Sequence, residues 1–359
     1  MNTGVKRLVI LFTALAILGT APAAAQEPPS YSIEENARAV LMVGLFSPDV
    51  SPSLIFHLDN GGRSVLLFGG AVRDRARMIR LTQQLHCAAG APLLVGVDQE
   101  PGPVARLRGL VAPLPDPDET DPVELLLAAT ALGRDLRRLG INLNLAPVVD
   151  VPRGPNPVLR NRTFGDDPAL VAELGAAFVR GLSLNSVAAA AKHFPGHGLS
   201  RTDPHREVTR IDASLAELEA IDLVPFRRLV DTGVQAVLVA HPIYEAIDPN
   251  LPASLSPATY SLLRDDLGFT GVAITDGLGM RGVRDGRSLE EAAVIAIAAG
   301  ADLLIVEGLI DIGAVVEALM AAVANGTLKA ARLAEAASRV RNTAQATAWP
   351  GCRGATAFR

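Results

Sequence analysis

Eight short apolar runs, separated by longer amphipathic stretches, constrain the fold of this chain more than any other feature. The runs are residues 40–46, 64–70, 92–98, 143–151, 188–193, 236–241, 271–276 and 301–306. They are continuously apolar, which is typical of parallel strands that are covered on both faces. The alternation predicts an α/β chain that folds as a single-domain (β/α)8 TIM-type barrel. A doubly wound open sheet shares this alternation and is the competing fold.

Helical signals occur between the apolar runs. Apolar residues recur three or four positions apart, as in amphipathic helices, in residues 121–139, 168–184 and 288–299. A fourth helix is predicted over residues 212–230, where Ser214 and Glu217 have the spacing of a capping box. Gly233 and Gly300 each stand directly before the next predicted strand, where a helix should end.

The first 25 residues have the pattern of a secretory signal peptide. A short positive region is followed by an apolar stretch and by alanines before Gln26. We therefore predict a periplasmic or secreted protein with no stable membrane insertion after cleavage, and an uncleaved anchor is the alternative. The catalytic domain is expected over residues 26–348, followed by an irregular tail over residues 349–359.

Composition limits the classes of partner. The net charge is −5 over 359 residues and no run of Lys or Arg stands out, so we expect no nucleic-acid partner. The chain has only two cysteines, Cys87 and Cys352. Export would permit a disulfide between them, and two independent thiols fit the sequence equally well.

Polar residues recur where the predicted strands end. Five strand ends carry them, at Asp98-Gln99-Glu100, Asp150, Lys192-His193, His241 and Asp276. In a barrel, the carboxyl ends of the strands meet at one rim, and catalytic groups come from several of them. The sequence therefore predicts a functional site at this rim.

The loop after the fifth strand carries the most distinctive motif. Residues 192–198 read KHFPGHG, and Asp203 and His205 follow in the sequence TDPH. Glycine and proline fix a tight backbone that can aim side chains at a ligand. A carboxylate beside an imidazole raises its basicity and selects one tautomer. His205 is therefore a candidate proton carrier, with Asp203 as its partner.

The same loop allows a metal-site interpretation. Its potential ligands are His193, His197, Asp203 and His205. The His-x-x-x-His spacing suits a helix, which Pro195 and Gly196 would break. We therefore predict no metal.

These motifs together resemble glycoside hydrolase family 3, and within it the single-domain β-N-acetylhexosaminidase branch. The resemblance runs from residue 31 to residue 345. Its motifs occur in the family's order: VDQE at 97–100, NLAPVVD at 144–150, RTFG at 162–165, KHFPGHG at 192–198, DPH at 203–205, AHP at 240–242 and ITDGLGM at 274–280. The combination of KHFPGHG with D-x-H is specific to this branch.

The resemblance implies a role for each matching residue. Asp276 matches the catalytic nucleophile, His205 the acid/base and Asp203 its partner. The residues that match binders of the sugar hydroxyls are Asp98, Arg106, Arg162, Lys192 and His193. The implied fold is a (β/α)8 barrel, and no cofactor is implied. The implied activity is that of a retaining exo-β-N-acetylglucosaminidase that acts on peptidoglycan fragments or chitooligosaccharides through a covalent glycosyl-enzyme.

The chain also departs from the family pattern. Residues 101–103 read Pro-Gly-Pro where Gly-Gly-Arg is usual, and Leu199 stands where Asp is common. Gly277 and Gly279 follow the expected nucleophile where larger residues are common. None of these changes removes a matched catalytic residue, so they bear on substrate preference and rate.

Two alternative functions use the same barrel. A phosphorylase would pass the sugar to phosphate instead of water, and a histidine acid/base tolerates such an anionic acceptor. A non-catalytic sugar-binding barrel is suggested by the loop changes at Pro101, Pro103 and Leu199. The presence of Asp276 and His205 argues against the second alternative.

Overall fold

The computed structural model contains an eight-stranded parallel sheet and a separate two-stranded sheet. It describes Met1 and residues 30–72, 74–154, 156, 158–202, 208–307 and 312–350. The strands are β1 Leu41–Leu45, β2 Ser64–Leu67, β3 Leu94–Val97, β4 Leu143–Asn144, β5 Ala188–Phe194, β6 Arg210–Ile211, β7 Ala236–Val239, β8 Ile243–Tyr244, β9 Val272–Thr275 and β10 Leu304–Val306.

The large sheet curls into a barrel. Its strand order is β10-β1-β2-β3-β4-β5-β7-β9. The first and last strands meet through a parallel bridge between Ile274 and Leu303, and the Thr275 N–H donates to the Leu303 carbonyl at 2.9 Å. The predicted (β/α)8 barrel is therefore confirmed, and the open sheet is wrong.

The helices surround the barrel strands in sequence. They are α1 Ile33–Ala39, α2 Pro52–Asp59, α3 Arg75–Ala88, α4 Pro122–Arg138, α5 Pro168–Ser183, α6 Leu215–Glu217, α7 Leu223–Thr232, α8 Pro257–Ser261, α9 Arg281–Arg284, α10 Leu289–Ala299, α11 Ile312–Ala324 and α12 Ala330–Ala346. The predicted helices α4, α5 and α10 begin after the caps Asp121, Asp167 and Ser288, whose side chains accept first-turn N–H groups.

The helix predicted over residues 212–230 is only partly correct. It begins at Leu215, because Ser214 and Glu217 form the predicted capping box at that point. A π-helical turn, Leu218–Asp222, then separates α6 from α7. The helix ends at Gly233, whose φ of 85° favours glycine.

Two apolar layers hold the barrel together. Successive side chains of a strand point to opposite faces, so one set fills the barrel and the other meets the helices. The buried residues of the interior include Met42, Leu66, Leu94, Leu143, Ala188, Leu238, Ile274 and Ile305. The outer set packs in a larger buried layer with residues of the helices. This arrangement explains why the strand sequences do not alternate between apolar and polar residues.

The fourth strand is shorter than predicted. The expected run was residues 143–151, but regular strand structure ends at Asn144, just before a segment that contains Pro147. A proline has no N–H with which to continue a ladder. The chain nevertheless stays beside β5, since the Lys192 N–H donates to the Pro147 carbonyl at 3.1 Å and the Val149 N–H donates to the Lys192 carbonyl at 2.8 Å. This path brings Asp150 to the rim.

The two-stranded sheet of β6 and β8 was not predicted. Its register pairs Arg210 with Ile243 and Ile211 with Tyr244. Each strand has two residues, which is too short to show a periodic pattern. β6 begins at Arg210, shortly after residues 203–207, which are outside the described residues.

Contacts divide the chain into two units, Met1–Ser30 and Tyr31–Arg359. Apart from Met1, the predicted signal peptide lies outside the described residues, as do Cys352 and the rest of the tail beyond residue 350. At the end of the described chain, the Trp349 ring stacks on His86 at 4.9 Å, and its N–H donates to the Arg137 carbonyl at 3.1 Å. None of the described helices is both long enough and apolar enough to cross a membrane.

Candidate active site

A cavity of about 160 Å³ opens at the carboxyl ends of the barrel strands. The predicted site residues that line it are Asp98, Arg106, Arg162, Lys192, His193 and Asp276. Asp203 and His205 lie outside the described residues. The barrel therefore brings together every predicted site residue that the structure describes, and their chemical roles stay predictions.

A network of charged side chains occupies one side of the cavity. The Lys192 ammonium lies 2.8 Å from a carboxylate oxygen of Asp98 and 2.6 Å from one of Glu100. Arg162 donates to both oxygens of Glu100, at 2.8 and 2.9 Å. Such two-point pairs fix geometry as well as charge. Each cation is therefore held in place by these carboxylates.

Burial and pairing act in opposite directions on the pKa values of this network. Burial alone would lower the pKa of Lys192, but Asp98 and Glu100 outweigh it and the pKa is raised. Burial would likewise raise the pKa of Glu100, but Lys192 and Arg162 outweigh it and the pKa is lowered. Both groups are therefore charged at neutral pH.

A tight loop holds Glu100 in position. The Leu107 N–H donates to the Gln99 side chain at 2.9 Å, so the loop closes on itself. Gly102, at the loop tip, has a φ of 83°, and an added Cβ would overlap the carbonyl oxygen of Asn161. This close approach packs the Glu100 loop directly against the segment that carries Arg162.

Asp150 anchors the KHFPGHG loop. One of its oxygens accepts from the backbone N–H groups of His193 and His197, at 3.2 and 2.6 Å. Its other oxygen lies 2.7 Å from Nδ1 of His193. Burial would raise the pKa of Asp150, but the two histidines outweigh it and the pKa is lowered. The carboxylate thus fixes the His193 proton on Nδ1 and leaves Nε2 for a ligand.

His197 also lines the cavity, although it was predicted only as a possible metal ligand. Burial lowers its pKa to about 4, so the ring is neutral at pH 7. Its buried Nδ1 has no hydrogen-bond partner among the described residues. Within the same part of the chain, no group of three His, Cys, Asp or Glu residues could hold a metal ion.

Asp276 follows β9 and is half-buried at the cavity wall. It accepts a hydrogen bond from the Gly277 N–H at 2.8 Å. Burial would raise its pKa, but His241, His193 and the Gly277 N–H outweigh it and the pKa is lowered. The carboxylate is therefore ionised at neutral pH, as a nucleophile requires.

His241 positions the backbone after Asp276. Its Nε2 lies 2.9 Å from the Gly277 carbonyl, and its Nδ1 lies 2.7 Å from the Ser254 hydroxyl. The carbonyl can only accept, so Nε2 carries the proton. This strand-end histidine therefore fixes the backbone that follows Asp276, and it is not among the residues that line the cavity.

Sequence reasoning gave no role to several cavity residues, among them Phe68, Glu100 and Glu307. Glu100 was named at a strand end, but its ion pairs could not be foreseen. Glu307 directly follows β10, so the strand-end rule would have found it. Phe68 directly follows β2, and its ring stacks on Phe46 with the centroids 4.3 Å apart. An apolar residue at a strand end gives no comparable signal.

Comparison with known proteins identifies the family. The model of the glycosyl hydrolase family 3 N-terminal domain matches residues 33–343. The β-hexosaminidase of Bordetella avium is 37% identical over 254 residues, which are 67% of this chain and 72% of that protein. The chain therefore belongs to glycoside hydrolase family 3, and it is a glycoside hydrolase.

Solved structures agree with this assignment. A family 3 β-N-acetylglucosaminidase from Paenibacillus sp. str. FPU-7 superimposes with a TM-score of 0.86 at 32% identity, over 92% of this chain and 65% of that one. The β-N-acetylhexosaminidase of Beutenbergia cavernae superimposes with a TM-score of 0.79 at 30% identity, over 88% of this chain and 99% of that one. This chain thus spans slightly less than two thirds of the Paenibacillus chain.

Proposed function

We propose that this protein is a retaining exo-β-N-acetylglucosaminidase. The observation that carries the proposal is an ionised Asp276 in the same cavity as the network of Asp98, Lys192 and Arg162. The cavity, about 160 Å³, is smaller than the ~300–1,000 Å³ of typical drug-sized ligand sites. A cavity of this size suits one terminal sugar, which is why we propose exo action.

The proposed reaction has two steps. Asp276 attacks the anomeric carbon, and the bond to the leaving oxygen breaks while His205 gives that oxygen a proton. Water then attacks the glycosyl-enzyme, His205 takes its proton, and Asp276 leaves. Asp203 orients the imidazole and stabilises its charged form. A neutral or cationic acid/base avoids placing a second negative charge near Asp276.

The described residues on either side of residues 203–207 contact each other. The Thr202 and Thr209 hydroxyls lie 2.7 Å apart, so the two ends of the segment are joined. The Ser200 hydroxyl donates to the Thr202 carbonyl at 2.9 Å. Thr202 and Thr209 therefore have defined positions, close to the KHFPGHG loop in the sequence.

The proposed substrates are muropeptides and chitooligosaccharides with a terminal β-linked N-acetylglucosamine. Support comes from the relatives, which are named β-hexosaminidase, β-N-acetylhexosaminidase and β-N-acetylglucosaminidase. The proposed location, periplasmic or secreted, rests on the signal-peptide pattern. Sequencing the N terminus of exported protein tests it, since a mature chain should begin at Gln26.

A chromogenic N-acetyl-β-glucosaminide tests the activity. The wild-type protein should release dye, and the first sugar product should keep the β configuration when followed by NMR. Sugar binding without turnover would instead favour a non-catalytic barrel. Assays with and without phosphate separate hydrolysis from phosphorolysis, because a phosphorylase would yield the sugar 1-phosphate.

A further inference from the structure

The ring of His197 opens to the cavity through a single nitrogen. The side chain lines the cavity, although the residue is only 2% exposed. Its Nδ1 is completely buried and has no hydrogen-bond partner among the described residues. Nε2 is not buried in this way, and no described residue forms a hydrogen bond with it. Nε2 is therefore the nitrogen of this ring that a molecule in the cavity can reach.

The backbone of His197 is held on both sides, so the ring has a defined position. Its N–H donates to Asp150 at 2.6 Å, and its carbonyl accepts from the Asn156 side chain at 2.9 Å. The preceding Gly196 has a φ of 132°, and an added Cβ there would lie 2.5 Å from Cβ of Asp222. The loop therefore presents Nε2 at a fixed point of the cavity wall, although this nitrogen bonds to nothing in the described part of the chain.

Packing alone does not account for a histidine at this point. A buried ring nitrogen without a partner lowers the free energy of unfolding, and an apolar side chain of similar size would avoid that cost. The neighbouring His193 differs, because its Nδ1 pairs with Asp150 at 2.7 Å. An unpartnered polar group in a buried wall is typical of a side chain that acts on a ligand.

The charge of the ring indicates which kind of ligand group it contacts. Burial lowers the pKa of His197 to about 4, so the ring is neutral at pH 7. A neutral ring matches a hydroxyl group, which can both donate and accept a hydrogen bond, so either tautomer of His197 can bind one. Asp276 is close enough for its charge to act on the ring. A charged ring would therefore attract the carboxylate that must attack the sugar.

His193 lies beside His197 at the same wall. The two rings meet edge to face with their centroids 5.7 Å apart, and both residues line the cavity. Asp150 takes up Nδ1 of His193 and leaves Nε2 of that ring for a ligand. Two imidazole nitrogens are thus available side by side. A sugar presents several hydroxyl groups close together, which suits such a pair.

We propose that His197 is a further substrate-binding residue, whose Nε2 forms a hydrogen bond with a hydroxyl group of the terminal sugar. The inference rests on the proposed function and adds a residue to its sugar site. The bond affects the rate because it helps to hold the sugar in the orientation that Asp276 attacks.

Three variants test the proposal on the chromogenic N-acetyl-β-glucosaminide. In His197→Gln the amide reaches the position of Nε2 and can donate or accept there, whereas in His197→Asn it reaches only the position of Nδ1. His197→Leu removes both nitrogens. We expect kcat/KM to stay within about threefold of wild type in His197→Gln and to fall about tenfold in the other two. His57→Leu is the matched control and should change nothing, since His57 is also buried but lies in α2 and does not line the cavity.

Substrates that lack one hydroxyl separate binding from packing. The 3-deoxy, 4-deoxy and 6-deoxy analogues each lose one hydroxyl group of the terminal sugar. His197→Leu should lower kcat/KM for the parent substrate but have little effect on the analogue that lacks the contacted hydroxyl, because the same hydrogen bond is already absent. A role in packing alone would instead lower kcat/KM for every substrate by the same factor.

A measurement on wild-type protein decides the question if the variants do not fold. Added N-acetylglucosamine should shift the ¹⁵N resonance of Nε2 of His197 in the NMR spectrum of histidine-labelled protein. The inference is overturned by an absent shift, by an unchanged kcat/KM in His197→Leu, by an equal loss on all four substrates, or by a loss in His197→Gln as large as in His197→Leu. Absence of all turnover by wild-type protein contradicts the proposed function instead.

Discussion

Asp276 is the side chain on which turnover should depend most directly. Asp276→Ala removes the group that forms the covalent intermediate, and kcat should fall by about four orders of magnitude. Dye release measures the loss, and thermal unfolding should show an intact fold. Added azide should restore part of the activity by attacking C1 in place of the carboxylate. Substantial turnover without azide would contradict the nucleophile assignment.

His205 can be tested through the leaving group. In His205→Ala, substrates with poor leaving groups should lose much more activity than activated aryl glycosides, because an activated group departs without a proton. The ratio of kcat/KM between the two classes is the measurement. An equal loss on both classes would argue against His205 as the acid.

For single residues, the sequence was sufficient to identify side chains of the site, but it did not show which of them form ion pairs with each other. Asp98, Lys192 and Asp276 were identified from motifs at strand ends, and the barrel brings them into one cavity. The Glu100 pair with Arg162 links residues 62 positions apart, so it depends on how two loops pack. Glu307 occupies the space left by Gly277 and Gly279, a relation that only the folded chain shows.

Among the elements, the Glu100 loop offers a controlled test of packing. Gly102→Ala should move the loop away from Asn161, disturb the Glu100–Arg162 pair and lower stability by ~1–3 kcal/mol. The same variant should have a higher KM for the chromogenic substrate. Gly109→Ala is the matched control, since Gly109 has a similar φ of 81° and nothing near its added Cβ.

Urea unfolding and measurement of KM, made on both variants, give the effect of Gly102→Ala on stability and on substrate binding. Both variants share the cost of a positive φ, so the difference between them isolates the contact with Asn161. Equal stability and equal KM in the two variants would show that the loop does not need this close approach.

The elements that sequence predicted well are those with a long periodic pattern. Helices α4, α5 and α10 begin within one residue of their predicted starts, because caps and periodicity agree. The prediction of the fourth strand was wrong beyond Asn144. The chain continues there as an irregular segment that contains Pro147. The π-helical turn at Leu218–Asp222 interrupts a helix whose periodicity gave no warning of it.

For the whole molecule, buried histidines predict sensitivity to acid. Burial lowers the pKa of His57 to about 3 and those of His86 and His197 to about 4, below the ordinary value of 6.5. The unfolded chain therefore takes up protons first as pH falls. The contribution of these neutral histidines to the free energy of unfolding is fully present above pH 6.5. It is lost as pH falls toward 4, by roughly 1.4 kcal/mol per pH unit for each histidine.

Urea unfolding at a series of pH values between about 7 and 5 measures this dependence, since most carboxylates stay ionised there in both states. His57→Leu should reduce the slope by about one proton, because both ring nitrogens of His57 are buried without a partner among the described residues. A variant with the wild-type slope would show that His57 does not titrate on unfolding.

The stack of Trp349 on His86 has a practical consequence for spectroscopy. Trp349 is the only tryptophan in the sequence, and it lies beside the end of α4, where the helix returns to the amino ends of the strands. The cavity opens at the opposite end of the barrel. Intrinsic fluorescence should therefore report the separation of the chain's end from the barrel during denaturation, while sugar titrations should leave the emission nearly unchanged.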